Sequence, residues 1–507
     1  MNCSFSNLIW LLSLARKNSN FKKSLNKPGI TQWNILKKYL VDNNHTIYGK
    51  KYSFSTINTI NDFQKQVPII NYEDIEEYTQ KIANNNNNVL SKYKTRFFEE
   101  TSGSGKVSKI IPYNRPLKNE FNAAIAPWIW GIYKDYPKVF NGKSYWSISP
   151  PMKPNWKTKG GLKVGIEDDS EYLNYFGKLL HKHLILNPIQ KKQPSYDADT
   201  FYINTLKCMI AEKNMGFISV WSPSFILQLD KILRKYWDTI VPESLNITPT
   251  AKWSNLFPSL KLVSCWLHSS SSQFNKELEN ILGNISIQPK GLLSTEGVVS
   301  IPIDNKNDPV LAITSHFYEF ECQKSKNIYL TSELRKKEQY EVIMSTGNGF
   351  MRYRTNDIIQ VSGFIQKTPT IVFKGRKNRT SDLVGEKLTE IMCIEILNSI
   401  NSDLKIEMMG AYFHPSKNEN NQLHYTLNIV TESHSLNKTI ILEFVEELLC
   451  KNPYYSQAIS AQQLEKLKVI YISYESYLKT MNGYFMRKKI KSGNQKPSVL
   501  FLLNELT

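Results

Sequence analysis

The chain has no C-x-x-C pair, no H-E-x-x-H pattern and no apolar run approaching the ~20 residues that span a bilayer. Its six cysteines, Cys3, Cys208, Cys265, Cys322, Cys393 and Cys450, are scattered. That argues against a zinc site and a disulfide framework. It suits a reducing cytosol, so a cytoplasmic location is expected. Histidine is scarce, and His181 and His183 stand two apart, which on a helix sends them in different directions. The most apolar stretch near the start, Leu8 to Ala15, lacks a preceding basic residue and a small-residue cleavage site. It reads as a buried amphipathic helix rather than a signal peptide. Acidic residues are few beside basic ones, 45 against 64, for a net charge of +19. The excess is spread thinly, without a nucleic-acid motif, and follows from a chain rich in Lys and Asn throughout. Neither nucleic acid nor a membrane is expected as a partner.

What is present is a Thr/Ser/Gly loop between two apolar runs, from Thr101 to Lys109. Small residues let the backbone approach a polyphosphate, and hydroxyls, N–H groups and a lysine can surround its oxygens. A P-loop is excluded, because Glu100 falls where its first Gly belongs and Val107 where its Mg²⁺ hydroxyl belongs. The adenylating pattern T-S-G-S/T-T-G-x-x-K is met by Thr101, Ser102, Gly103, Ser104 and Lys109. Gly105 and Lys106 depart from it. On its own the loop is equally readable as a glycine-rich turn.

At 507 residues the chain has room for two or three domains and a sizeable core. The Asn run 84–88 reads as a surface loop. Residues 67–70 read as a short buried strand, followed by a charged helix through Asp74, Glu76 and Glu77. Strand signals at 145–149 and 261–266 alternate with helix signals at 223–233 and 274–282, which predicts an α/β architecture. Residues 340–375 carry three short strands between Gly and Asn turns and predict a small antiparallel, barrel-like unit. The polar stretch 375–382 predicts a hinge. An N-terminal domain over 1–375 and a smaller α+β domain over 376–507 follow.

Three more segments carry chemistry. Thr295 and Glu296 sit in a small-residue context after a strand. Tyr353-Arg354-Thr355-Asn356-Asp357 is a Y-R-x-x-D motif placed at a turn. Lys374-Gly375-Arg376-Lys377-Asn378 follows a strand. Taken singly these are a helix cap, a hairpin turn and a basic loop. Together with the Thr101–Lys109 loop, in this order, they resemble the adenylate-forming (acyl-AMP) superfamily. Within it the chain is similar to the Gretchen-Hagen-three family of acyl-acid amido synthetases, known as auxin-responsive plant proteins, and especially to its bacterial members. The segments 46–50, 67–69 with 72–74, 218–223, 317–320 and 385–390 extend the resemblance from about residue 35 to the end.

The resemblance implies an ATP- and Mg²⁺-dependent ligase that joins a carboxylic acid to an amine through an acyl-AMP, and it favours an amino acid as that amine. Thr101, Ser102, Gly103, Ser104 and Gly105 would wrap the ATP phosphates with Lys109 nearby. Ser294 and Thr295 would face the α-phosphate, and Glu296 would hold Mg²⁺. Asp357 would take the ribose hydroxyls, for which a carboxylate is a double acceptor, and Arg376 would lie near the ribose. In the tail, 492–497 resembles a shortened Q-x-K-x-P segment, making Lys496 the catalytic lysine. The alternatives from the same resemblance are a ligase delivering the acyl group to a coenzyme A or carrier-protein thiol, and a non-catalytic homologue. Trp146, Trp156, Tyr172, Tyr175, Phe176 and Trp221 are candidates to line an acid pocket, or are core aromatics.

Overall fold

A computed structural model describes residues 3–100, 109–146, 156–165, 183–186, 198–377, 379–406, 408–419, 422–430, 438–487 and 498–501. The chain divides into two compact units. The first comprises Met1–Val220, Lys231–Cys265 and Asn284–Phe373, and the second Trp221–Asp230, Trp266–Gly283 and Lys374–Thr507.

The first unit opens on helix Cys3–Ser24, which buries Trp10, Leu11, Leu14 and Phe21 and leaves Leu8 and Leu12 on its open side. This is the expected amphipathic helix. Helix Tyr72–Ala83 is also as expected. It starts at a capping box in which Asn71 N–H donates to Asp74 Oδ2 at 2.8 Å. The α/β character lies in a parallel sheet with the strand order Ile185–Leu186, Ser144–Trp146, Phe217–Ser219, Leu262–Cys265, Ser286–Pro289. Every residue of Phe217–Ser219 and Leu262–Cys265 is buried, as a parallel sheet covered on both faces requires. Helix Arg115–Asp135 packs on one face, its Trp128 ring 6.4 Å from Phe217 and 5.6 Å from Trp146.

The antiparallel unit expected at 340–375 is larger than that. Strands Gln339–Ser345, Tyr353–Ile365 and Thr368–Arg376 belong to a seven-stranded sheet that also takes in Ser300–Ile301, Val310–Leu311, Phe317–Cys322 and Ile328–Leu330. The earlier strands escaped the sequence reading because they are short, and Phe317–Cys322 carries glutamates, which deplete strand signals. Those glutamates are buried in pairs. Arg352 donates to Glu319 from Nε at 2.9 Å and from Nη2 at 3.0 Å. Arg354 spans Glu321 at 2.6 Å and Glu341 at 2.7 Å.

Arg352 also corrects the expected strand at 67–70. Its Nη1 donates to Gln64 O at 2.9 Å and to Val67 O at 2.8 Å. With the Val67 carbonyl taken and no N–H on Pro68, a ladder cannot extend. A single parallel bridge, Ile70 to Tyr353, remains.

In the second unit, strands Gly410–Lys417 and Leu423–Val430 pair antiparallel, and Lys468–Tyr471 adds parallel. Ile394 and Leu397 of helix Glu390–Asp403 and Val445 and Leu449 of helix Lys438–Cys450 close the core over Phe413, Tyr425 and Leu427. A Cβ on Gly375 would stand 2.7 Å from Ile391 Cγ1, so this position admits only glycine without a shift.

Replacing Arg352 by Met leaves Glu319 as a buried carboxylate without its cation. A loss of about 3–5 kcal/mol is expected in chemical denaturation of the variant.

Candidate functional site

Strands Phe97–Glu100 and Ile110–Tyr113 form an antiparallel hairpin whose last pair is Glu100 with Ile110. Residues 101–109 are therefore the connection between its arms. Thr101, Ser102, Gly103, Ser104 and Gly105 lie outside the described residues. Lys109, at the far end, has its Nζ 3.7 Å from Glu73 Oε1 and 5.3 Å from the ring centroid of Tyr72. Tyr72 pins the loop's exit: its hydroxyl accepts from Ile110 N–H at 3.0 Å and donates to Ile110 O at 3.1 Å. Burial raises the Tyr72 phenol above its ordinary value, and the charges of Glu76 and Glu296 add to the rise. Glu296 therefore lies within electrostatic reach of the same tyrosine.

Thr295 and Glu296 do not cap a helix. They form a tight turn closed by Ser294 N–H donating to Gly297 O at 2.9 Å and by a bridge between Leu293 and Val298. Two contacts fix this turn. The Tyr113 hydroxyl, from the hairpin, donates to Thr295 O at 2.6 Å. Val298 N–H donates to His316 Nε2 at 3.1 Å. With Nε2 accepting, a neutral His316 carries its proton on Nδ1, which faces Glu120 Oε2 at 3.0 Å. Glu120 Oε2 also accepts from Gly347 N–H at 2.9 Å. Gly297 allows the close approach, since a Cβ there would lie 2.7 Å from His316 Nε2. The loop exit at Lys109 and the Thr295–Glu296 turn are thus tied to one hairpin strand, through Tyr72 and Tyr113.

Asp357 is not at a turn. It sits inside strand Tyr353–Ile365, where the pairing jumps from Ile343–Arg354 to Glu341–Ile358. The extra residues form a bulge, with Asn356 at φ 60°, a conformation asparagine tolerates well. Thr355 Oγ1 spans the bulge, donating to Val342 O at 2.9 Å and accepting from Asp357 N–H at 3.1 Å. Asp357 is 1% exposed. Arg376 is the last residue of strand Thr368–Arg376, not a residue beyond it, and its side chain is exposed.

Lys496 lies outside the described residues. The chain just after it is held firmly within the second unit. Arg379 Nε donates to Ser498 Oγ at 2.7 Å and its Nη2 to Leu500 O at 2.9 Å, while Ser498 Oγ donates to Glu390 Oε1 at 2.7 Å. Phe413 N–H donates to Val499 O at 2.8 Å.

Of the aromatic candidates, Trp146 packs on Trp128 and Phe217. Trp156 is exposed and donates to Glu100 Oε1 at 3.0 Å. Trp221 packs on Trp266 in the second unit. Tyr172, Tyr175 and Phe176 lie outside the described residues. Among the described residues no group of three His, Cys, Asp or Glu side chains converges to hold a metal ion, and no helix is long and apolar enough to cross a membrane. A lone half-buried carboxylate such as Glu296 fits Mg²⁺, which is usually bound by one or two carboxylates plus substrate phosphates.

Two family models match the chain: the GH3 family N-terminal domain over residues 17–250 and the GH3 family central domain over 309–376, together more than half of its length. The chain belongs to the GH3 family. This is the Gretchen-Hagen-three resemblance of the motifs. Among similar proteins, jasmonoyl–L-amino acid synthetase JAR6 of Nicotiana attenuata is 24% identical over 430 residues, 73% of each chain. Indole-3-acetic acid-amido synthetase GH3.2 of Arabidopsis thaliana is 21% identical over 425 residues, 72% of this chain and 76% of that one. The fold matches the structure of AtGH3.15 acyl acid amido synthetase in complex with 2,4-DB, with a TM-score of 0.81 at 17% identity, covering 97% of this chain and 95% of that one. A 2-hydroxyisobutyryl-CoA ligase matches more distantly, with a TM-score of 0.50. The α/β adenylate-forming architecture expected from the sequence is therefore the observed one.

Sequence reasoning missed Tyr113, Glu120 and His316, which hold the GH3 chain's Thr-Glu turn from far along the sequence. Tyr72 had a signal, since it falls in a segment that carries the family resemblance.

Gly297→Ala forces His316 or the turn to move and is expected to cost about 1–3 kcal/mol. Tyr113→Phe removes one hydroxyl contact and is expected to cost about 1 kcal/mol. Urea denaturation of both variants checks the order.

Proposed function

We propose that this GH3 chain is an ATP-dependent acyl acid amido synthetase, which adenylates a carboxylic acid and passes the acyl group to an amino acid. The observation that carries the reading is the shared frame of Tyr72 and Tyr113, which ties the exit of the phosphate loop to the Thr295–Glu296 turn. Adenylation needs donors already aimed at the α-phosphate, and these are the two elements the family motifs assign to it. The names of the relatives, a jasmonoyl–amino acid synthetase and an indole-3-acetic acid-amido synthetase, support an acid and an amino acid as the two substrates. The motif segments favour a bacterial-type member.

A carboxylate is a poor acylating agent because oxide is a poor leaving group. Its oxygen attacks the α-phosphorus of ATP, and pyrophosphate leaves. The amine nitrogen then attacks the acyl carbon, AMP leaves, and the nitrogen loses a proton to form the amide. In this reading Thr101 to Gly105 and Lys109 surround the phosphates, and Ser294 and Thr295 face the α-phosphate. Asp357 accepts from the ribose hydroxyls, and Arg376 lies near the ribose. Glu296 would hold Mg²⁺, which neutralises phosphate charge. Lys496 balances charge building at the α-phosphate. The described segment that follows Lys496 in sequence, Ser498 to Leu500, is anchored by Arg379. A joint near Gly375 would let the C-terminal domain, 376–507, serve the two half-reactions in turn.

The test is pyrophosphate release with Mg-ATP and a panel of carboxylic acids, run without acceptor, with mixed amino acids, and with coenzyme A. Release that rises with amino acids, with an amide in the mass spectrum, is expected. Stimulation by coenzyme A alone would move the protein to the thioester ligases, and silence with intact ATP binding would mark a non-catalytic homologue. Lys496→Ala is expected to lose acyl-AMP formation by about 10²-fold or more while ATP binding largely survives. Undiminished release by that variant would remove Lys496 from the mechanism.

A further inference from the structure

Lys290 follows the last residue of strand Ser286–Pro289 and is 6% exposed. Its backbone N–H donates to Cys265 O at 2.7 Å, carrying the parallel ladder one residue further. Its Nζ donates to Ser219 Oγ at 2.9 Å and lies 5.7 Å from the ring centroid of Trp128. The chain beyond is fixed as well. A Cβ on Gly291 would fall 1.9 Å from Ser300 O, and Leu292 N–H donates to Ser300 Oγ at 3.0 Å.

The ammonium therefore stands at the carboxyl ends of strands Phe217–Ser219, Leu262–Cys265 and Ser286–Pro289. Open parallel sheets bind ligands along that edge. Burial pushes the neighbouring Cys265 thiol up to about 12, and the charge of Lys290 opposes the rise. Along a strand, alternate residues share a face, so Phe217 joins Ser219 and Gln288 joins Lys290. Trp128 covers that face, donating from Nε1 to Gln288 Oε1 at 2.8 Å. Its ring, with Trp146 and Phe217, makes an aromatic cluster beside the lysine, with centroids 5.6–6.4 Å apart.

The adenylation chemistry uses no cation at this place. The reacting carboxylate belongs beside the α-phosphate at Thr295, further along the chain, whereas Lys290 is tied back to Ser219 in the body of the sheet. The rest of the acid has to lie along some surface away from Thr295. An aromatic wall that ends in an ammonium, a hydroxyl and an amide suits an acid whose far end is itself anionic.

The geometry points to Lys290 as the residue that selects the acyl acid, its ammonium taking a second carboxylate at the acid's far end, so that dicarboxylic acids are the preferred class. This rests on the amido synthetase reading for the fate of the acid, but its binding test stands apart from turnover.

Calorimetric titration of the full chain with two matched pairs, adipate against hexanoate and terephthalate against benzoate, tests it. The intact protein is expected to bind each diacid about tenfold or more tighter than its partner, a scale set by a close charge pair. Lys290→Met should abolish that preference, Lys290→Arg should keep part of it, and Ser219→Ala should reduce it with the charge still present. ATP affinity should hold in all three, which also reports that they fold. Equal affinity for the two members of each pair in the intact protein, or equal weakening of both by Lys290→Met, would overturn the assignment. So would the absence of binding by any of the four acids. Diacid binding without pyrophosphate release would sink the ligase reading and spare this one, and release with monoacids alone would do the reverse.

Discussion

A single carboxylate oxygen ties together three parts of the first unit that are remote in sequence. Glu120, on helix Arg115–Asp135, meets the Nδ1 of His316 and the N–H of Gly347 with the same Oε2. Through the imidazole it reaches Val298, and so the turn that carries Thr295 and Glu296. A carboxylate drawn largely out of water needs hydrogen-bond donors, and supplying them to this oxygen links a helix, a turn and a hairpin in one arrangement. The histidine works as a rigid relay, one ring nitrogen accepting from Val298 N–H and the other facing Glu120.

The seven-stranded sheet shows the same economy with more charge. Glu319, Glu321 and Glu341 would be costly alone, and Arg352 and Arg354 compensate them by forked, near-ideal contacts. Arg352, the residue that leads into the motif strand, reaches to the carbonyls of Gln64 and Val67, so it positions the N-terminal helical region against that strand. Residues of the Y-R-x-x-D segment therefore divide their labour: Arg354 balances the sheet, Thr355 bridges the bulge, and Asp357 is presented by it.

How much could be read beforehand depended on the range of the interactions involved. The helix at 72–83 announced itself through its local charge at Asp74, Glu76 and Glu77. The α/β class followed from alternating apolar runs, and the chemistry-bearing segments from local composition. What failed was non-local. The 67–70 segment looked like a strand because Val67, Ile69 and Ile70 are apolar, yet the carbonyl of Val67 is claimed by Arg352. Asn356 looked like a turn residue because it favours left-handed backbone, and it does adopt it, but in a bulge whose existence depends on the facing strand. Glu120 and His316 are ordinary in sequence, and only the fold brings them within 3.0 Å of one another.

The bulge has a bearing on how this strand can change in length. Side chains alternate faces along a strand, so losing or gaining one residue between Arg354 and Ile358 would turn every later side chain to the opposite face. A deletion there would smooth the pairing with Gln339–Ser345 while carrying Asp357 out of its buried place or Ile358 and Ile359 out of the core. Substitutions along the segment can be tried one at a time, but insertions and deletions are closed to it. Among diverging copies of this fold, that stretch should keep its length long after its letters have drifted.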